Sequence, residues 1–221
     1  MGPAIVRALA PSGRTAKAEV RLLAVGSILH FARDADIVWG SGVNGKVPTS
    51  EIDASSLDIR AVRGPLTAGV LRSKGMIVPD VFGDPGLLLP DLLGVRRSEN
   101  PTRQLLVIPN LHDWPTWRRN PAVISPRSPF EVVVRAVAES THVVASSLHG
   151  LVMADALGVP ASLLRPSKEN LFKYEDYYEG TGRRLPRVSD SIEEAVRRPG
   201  APLEWNPDAL KAAFPRELWA A

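Results

Sequence analysis

Apolar residues in this chain cluster into short runs, and the segments between many of the runs carry apolar positions at helical spacing. That alternation predicts a parallel sheet covered by helices. Runs at Arg21 to Val25, Asp36 to Trp39, Ile59 to Val62 and Asp80 to Phe82 predict a first series of strands. Runs at Gln104 to Ile108, Ala122 to Ser125, His142 to Ala145 and Ala161 to Leu164 predict a second. Helices are predicted over Pro3 to Leu9, Pro65 to Ser73, Pro129 to Glu139, Leu148 to Leu157, Ser191 to Arg197 and Pro207 to Phe214. Several of them open on proline, whose missing N–H is no loss in a first turn.

Between the two series, residues 90–103 turn polar and charged and carry two prolines, as a linker should. The chain therefore reads as two α/β halves, residues 1–92 and 103–221. No tandem repeat or low-complexity tract disturbs this order. The proline-rich tail from Pro199 to Pro215 is expected to run over the surface and end in a short helix docked by Trp205, Phe214 and Trp219.

Composition narrows the function classes. With 221 residues, 44% hydrophobic and 23% charged, the chain can bury a substantial core and is ordinary for a globular protein. No run approaches the roughly 20 apolar residues of a membrane span, and no charged-then-apolar leader opens the chain, so a cytoplasmic protein is expected. The absence of cysteine excludes disulfides, thiolate metal sites and thiol catalysis. Four scattered histidines offer no close ligand pair, so no metal is expected. A net charge of +3 and a pI near 9.4 suit an acidic substrate but not the concentrated basic face of a nucleic-acid binder.

The most informative chemistry lies at Ser146-Ser147-Leu148-His149, where a buried strand breaks and a helix begins. The first N–H groups of a helix have no internal partners and its dipole is positive there, so this turn can hold a phosphate or carboxylate. His149 then sits in the first turn, where a side chain that titrates near neutrality can deliver a proton at the ligand-binding edge of the sheet. The competing reading makes Ser146 a helix cap and His149 an ordinary surface residue.

Four other places carry candidate chemistry. The loop Gly40-Ser41-Gly42-Val43-Asn44-Gly45 has three glycines in six residues, but neither full dinucleotide spacing nor a Walker lysine. Arg63 ends a strand just before a proline-started helix, where a guanidinium can grip an anion or form a capping ion pair. Asp84 stands beside two glycines and before Pro85, a context that also starts turns. His112 and Trp114 follow the first strand of the second half, where they can contact a sugar or a phosphate. Arg165, Lys168 and Lys173 add positive charge after the strand that ends at Leu164.

Taken in order, Val38-Trp39-Gly40-Ser41-Gly42, Val62-Arg63-Gly64-Pro65-Leu66-Thr67, Gly83-Asp84-Pro85-Gly86-Leu87-Leu88, Ser147-Leu148-His149-Gly150 and Ala154-Asp155-Ala156-Leu157-Gly158-Val159-Pro160 resemble the polysaccharide pyruvyltransferase family. The resemblance covers about residues 3–180. It implies two Rossmann-like halves facing a cleft in GT-B manner, and transfer of the enolpyruvyl unit of phosphoenolpyruvate onto two hydroxyls of a sugar. The product is a pyruvate ketal on a bacterial exopolysaccharide or cell-wall polysaccharide. No metal or organic cofactor is implied; the partners are phosphoenolpyruvate and a glycan acceptor, lipid-linked or free, with the enzyme at most peripheral to the inner membrane face.

Under that resemblance His149 and Arg63 are expected to be catalytic. Substrate contacts are expected from Ser146, Ser147, Gly150, Arg165, Lys168, His112, Gly40, Ser41, Gly42 and Asp84. A phosphate and a carboxylate on three carbons require cations and N–H donors from more than one direction. Family members open with a strand leading to an Asn-x-Gly-Asp segment, whereas Met1-Gly2-Pro3-Ala4-Ile5-Val6 reads as the helix after it. The N-terminal half is therefore expected to be incomplete. Two alternatives stand beside this reading: a GT-B glycosyltransferase using a nucleotide sugar, and a catalytically silent glycan-binding relative.

Overall fold

The computed structural model describes residues 1–11, 20–52 and 55–219. In chain order the elements are α1 (Gly2–Leu9), β1 (Leu22–Leu23), β2 (Ile37–Trp39), β3 (Asp58–Ala61), α2 (Pro65–Ser73), α3 (Leu89–Leu93), β4 (Leu106–Ile108), α4 (Trp114–Trp117), α5 (Phe130–Ala138), β5 (Val143–Ala145), α6 (Leu148–Ala156), β6 (Ala161–Leu163), α7 (Phe172–Gly180), α8 (Ile192–Val196) and α9 (Asp208–Ala212). They make a mixed α/β protein with two parallel three-stranded sheets, ordered β1-β2-β3 and β4-β5-β6. Among the described residues no helix is long and apolar enough to cross a membrane.

The chain divides into two compact units. One contains residues 1–85, 170–184 and 205–221; the other contains residues 86–169 and 185–204. Two segments past residue 103 thus pack with the first unit, where the sequence had placed everything after that point in the second half. Within the expected linker, residues 90–93 belong to α3.

β2, β4 and β5 read as unbroken apolar runs because both faces are covered, whereas β3 alternates and β6 carries Ser162. Every residue of β2, β4, β5 and β6 is buried. In the first unit Val38, Ile59, Val62 and Leu71 centre the core; in the second Val107, Val144, Leu164 and Ile192 do. The strands predicted at Asp80 to Phe82 and Ala122 to Ser125 are reduced to single parallel bridges, Val62 to Phe82 and Val107 to Val123. Flanking prolines, Pro79 in the first case and Pro121 and Pro126 in the second, leave no N–H for a longer ladder.

The helix α7 escaped the sequence reading because its inward face is made of tyrosines and an aspartate. Tyr174, Tyr177 and Asp176 are fully buried and Tyr178 nearly so. Asp176 explains the packing. The N-cap of α2 is Gly64, which has no side chain to offer, and the Asp176 carboxylate accepts from Thr67 N (2.8 Å) and Thr67 Oγ1 (2.7 Å) instead. A carboxylate at the positive end of a helix is well placed. A Cβ on Gly64 would lie 1.8 Å from the Asp176 carbonyl oxygen. Gly64→Ala is therefore expected to lower stability by about 1–3 kcal/mol through overpacking, read as a lower urea midpoint at unchanged slope.

The C-terminal tail docks on β2. Trp39 Nε1 donates to the Leu210 carbonyl (2.8 Å), and Phe214 sits edge-on to Trp39 and stacks on Trp219. Trp205 covers Gly83. The expected aromatic docking is present, with Trp39 as its receiving surface.

His142 directly precedes β5, at the end of the strand opposite His149. Its Nε2 lies 2.9 Å from Ser162 Oγ, which itself donates to the Ala195 carbonyl (2.7 Å). The single hydroxyl proton being committed, His142 donates to Ser162. Burial pushes the His142 imidazole below its ordinary value near 6.5. The unfolded chain therefore binds more protons, so this contribution is complete above about pH 6.5 and is lost as the pH falls toward the lowered folded value. His142→Asn is expected to flatten the decline of Tm between about pH 7 and about pH 5, measured against wild type.

Candidate active site

Because β4, β5 and β6 are parallel, their carboxyl ends share one edge, the edge at which open α/β sheets bind ligands. Three turns meet there. The turn after β4 carries Asn110 to Trp114, the turn after β5 carries Ser146 to His149, and the turn after β6 carries Arg165 to Glu169.

Ser146 is fully buried, and its Oγ accepts from Asn110 N (3.1 Å). It braces the neighbouring turn. Ser147 occupies the N-cap with extended backbone, its N–H donating to the Ile108 carbonyl (3.2 Å), and its hydroxyl makes no capping bond. The N-cap side chain of α6 thus leaves the first-turn N–H groups uncapped, the geometry in which backbone N–H groups and the helix dipole receive an anion. His149 is the second residue of this helix and is half-buried.

Gly150 has a packing role. It is buried, and a Cβ there would come within 3.0 Å of Ala145 Cβ and 3.1 Å of Ile108 Cβ. Its absence lets α6 lie close on the sheet, which sets the height of the first turn above β5. Arg165 is exposed and is held by an ion pair with Asp190. Their hydrogen bond raises the guanidinium above its usual range and lowers the carboxyl. Both partners are exposed, so the pair contributes little stability and an arriving anion can displace it. Lys168 is exposed. His112 is exposed too, with Nε2 3.7 Å from Oε1 of Glu169, whose side chain is only 7% exposed.

In the first unit the expected contacts are turned inward. Arg63 is fully buried; it donates to Ser27 Oγ (2.6 Å) and the Val43 carbonyl (2.7 Å) and pairs with Asp176 at 2.8 Å. Its guanidinium holds the glycine loop and α7. Gly42 lies directly beneath it. Ser41 Oγ donates to the Gly26 carbonyl (2.9 Å), and the N–H groups of Gly40 and Gly42 donate to the Ala61 and Gly26 carbonyls. Those donors hold Gly40, Ser41 and Gly42 in a turn. Asp84 is 1% exposed.

The structure thus gathers Ser146, Ser147, His149, Lys168, Arg165 and His112 at one edge of the second sheet. It also brings in Asn110, Asp113, Ser167 and Glu169, which the sequence reading missed. The Asn110-Leu111-His112-Asp113 spacing carries a turn signal that marks Asn110. Nothing in the local sequence marks Ser167 or Glu169. Among the described residues no group of three or more His, Cys, Asp or Glu converges to hold a metal ion.

The family model for polysaccharide pyruvyl transferase matches residues 21–167. The succinoglycan biosynthesis protein ExoV of Rhizobium meliloti (strain 1021) is 32% identical over a 216-residue alignment that takes in 86% of this chain. The chain spans 64% of that relative's length. No solved structure matches it. A match that runs from β1 through the turn after β6, joined to an alignment over most of the chain, places this protein in the polysaccharide pyruvyl transferase family.

Proposed function

We infer that the protein transfers the pyruvyl group of phosphoenolpyruvate to a sugar of a bacterial exopolysaccharide, forming a pyruvate ketal and releasing phosphate. The observation that carries this reading is the uncapped start of α6 with His149 in its first turn, set in a chain of this family. The naming of its relative for succinoglycan biosynthesis supports an exopolysaccharide acceptor. The reading keeps a GT-B-like organisation, with the glycan handled by the first unit and phosphoenolpyruvate by the second.

The chemistry suits the residues. One sugar hydroxyl gives up its proton as its oxygen bonds to C2 of phosphoenolpyruvate, while the methylene carbon takes a proton. The C2–O bond to phosphate then breaks, and a second hydroxyl oxygen bonds to C2 as its proton is lost. The α6 start and Lys168 receive the phosphate or carboxylate, and His149 delivers the proton. The remaining steps need orientation and charge stabilisation.

The test is phosphate release from phosphoenolpyruvate with a panel of free and lipid-linked galactosides, glucosides and mannosides. Release that requires both phosphoenolpyruvate and an acceptor is expected, together with a rise in Tm on adding phosphoenolpyruvate. Thermal protection by a nucleotide sugar, with none from phosphoenolpyruvate and no phosphate released, would replace this reading with glycosyl transfer.

A further inference from the structure

We propose that Asp113 is a positioning residue for the anion-receiving start of α6, its carboxylate tying the three turns at the edge of the second sheet into one frame. The proposal rests on the pyruvyl-transfer reading above. Asp113 is 3% exposed. Its Oδ1 accepts from Ser167 N (3.0 Å) and from Ser167 Oγ, and its Oδ2 accepts from Asn110 Nδ2 (2.7 Å). Asn110 in turn reaches the turn after β5, with its N donating to Ser146 Oγ (3.1 Å) and its Nδ2 to the Ser146 carbonyl (3.3 Å).

These bonds do more than close a local loop. Asn110 Oδ1 already accepts from His112 N (2.8 Å) and Asp113 N (3.0 Å), which is enough to form the turn. The Asp113 carboxylate reaches instead to a residue 54 positions away, and Asn110 to one 36 positions away. Burying an ionised carboxylate among neutral donors is costly unless every lone pair is used. An acceptor-only group is what can join donors from two different turns at one point. Ser146 directly precedes the N-cap Ser147, so movement of the frame moves the first N–H groups of α6 and His149 with them.

The experiment compares wild type, Asp113→Asn and the swap Asn110→Asp/Asp113→Asn. Phosphoenolpyruvate Kd is read by calorimetry, kcat and KM by phosphate release, and the urea midpoint by unfolding. Asp113→Asn sets an NH2 against the NH2 of Asn110. A displacement on the order of 1 Å can cost about 100-fold in rate, so a rise of about 10-fold or more in Kd and KM for phosphoenolpyruvate is expected. The swap restores an N–H···O bond between the two side chains in the reverse direction and retains the acceptor for Ser167. It gives up the Asn110 Nδ2 bond to the Ser146 carbonyl, so it is expected to recover much of the midpoint and only part of the affinity.

The proposal is overturned if Asp113→Asn lowers the midpoint without changing Kd. Should Asp113→Asn fail to fold, Ser167→Ala removes one of the three bonds at an exposed residue and must raise Kd several-fold for the proposal to stand. Wild type that binds phosphoenolpyruvate but releases no phosphate would end the transfer reading while the Kd comparison still decides the role of Asp113. Wild type that does not bind it would end both.

Discussion

Arg63→Ala is expected to destabilise the first unit by about 3–5 kcal/mol, the usual effect of leaving one member of a buried ion pair without the other. Two things are lost together. Asp176 keeps its buried charge with only the Thr67 donors to satisfy it, and the Val43 carbonyl and Ser27 hydroxyl lose their guanidinium partner. Urea unfolding followed by tryptophan fluorescence measures it, since Trp39 is fully buried in this unit. Asp176→Asn is expected to cost less than Asp176→Ala, because the amide oxygen can still accept from Thr67 N. The double substitution Arg63→Ala/Asp176→Ala should fall short of the sum of the single ones, as coupled neighbours do. Arg63→Lys will not rescue the pair fully, since an ammonium cannot span the Ser27, Val43 and Asp176 positions as the planar fork does. If Arg63→Ala instead left the unfolding midpoint untouched and abolished phosphate release, the guanidinium would belong to the reacting site after all.

The inward turn of Arg63 also shows where sequence reasoning reaches its limit. An arginine at the end of a strand, before a proline-started helix, reads the same whether it faces a ligand or an aspartate from a distant helix. The partner here lies on α7, and α7 gave no periodic signal because tyrosine and aspartate form its buried face. By contrast, β2, β4 and β5 were legible because strands covered on both faces must be apolar throughout. The strand, Ser-Ser break and helix around His149 were legible for a related reason: a buried strand that stops at small polar residues and resumes as an apolar segment has few other ways to fold. The hydroxyl roles within that break were not. Ser146 proved to brace the turn after β4, a relation set by three-dimensional strand order and by nothing nearer in the chain.

His149→Ala is expected to lower acceptor-dependent phosphate release by about 10²- to 10⁴-fold, the range supplied by a positioned general acid. The substitution falls in the first turn of α6, on a half-buried side chain, while the helix is anchored by Leu148, Leu151 and Val152 deeper in the core. The urea midpoint should therefore move far less than for Arg63→Ala. Affinity for phosphoenolpyruvate should move less than for Asp113→Asn, because the N–H groups of the first turn stay in place when one side chain is removed. The pH profile separates the roles further. If the imidazolium gives its proton to the methylene carbon, the wild-type rate declines as the pH rises through the histidine range, and that limb disappears in His149→Ala. A variant that loses phosphoenolpyruvate binding but keeps the wild-type pH limb would make His149 a binding group and move the acid elsewhere on the same edge. The His112 imidazole beside the shielded Glu169 carboxylate is then the next group to test.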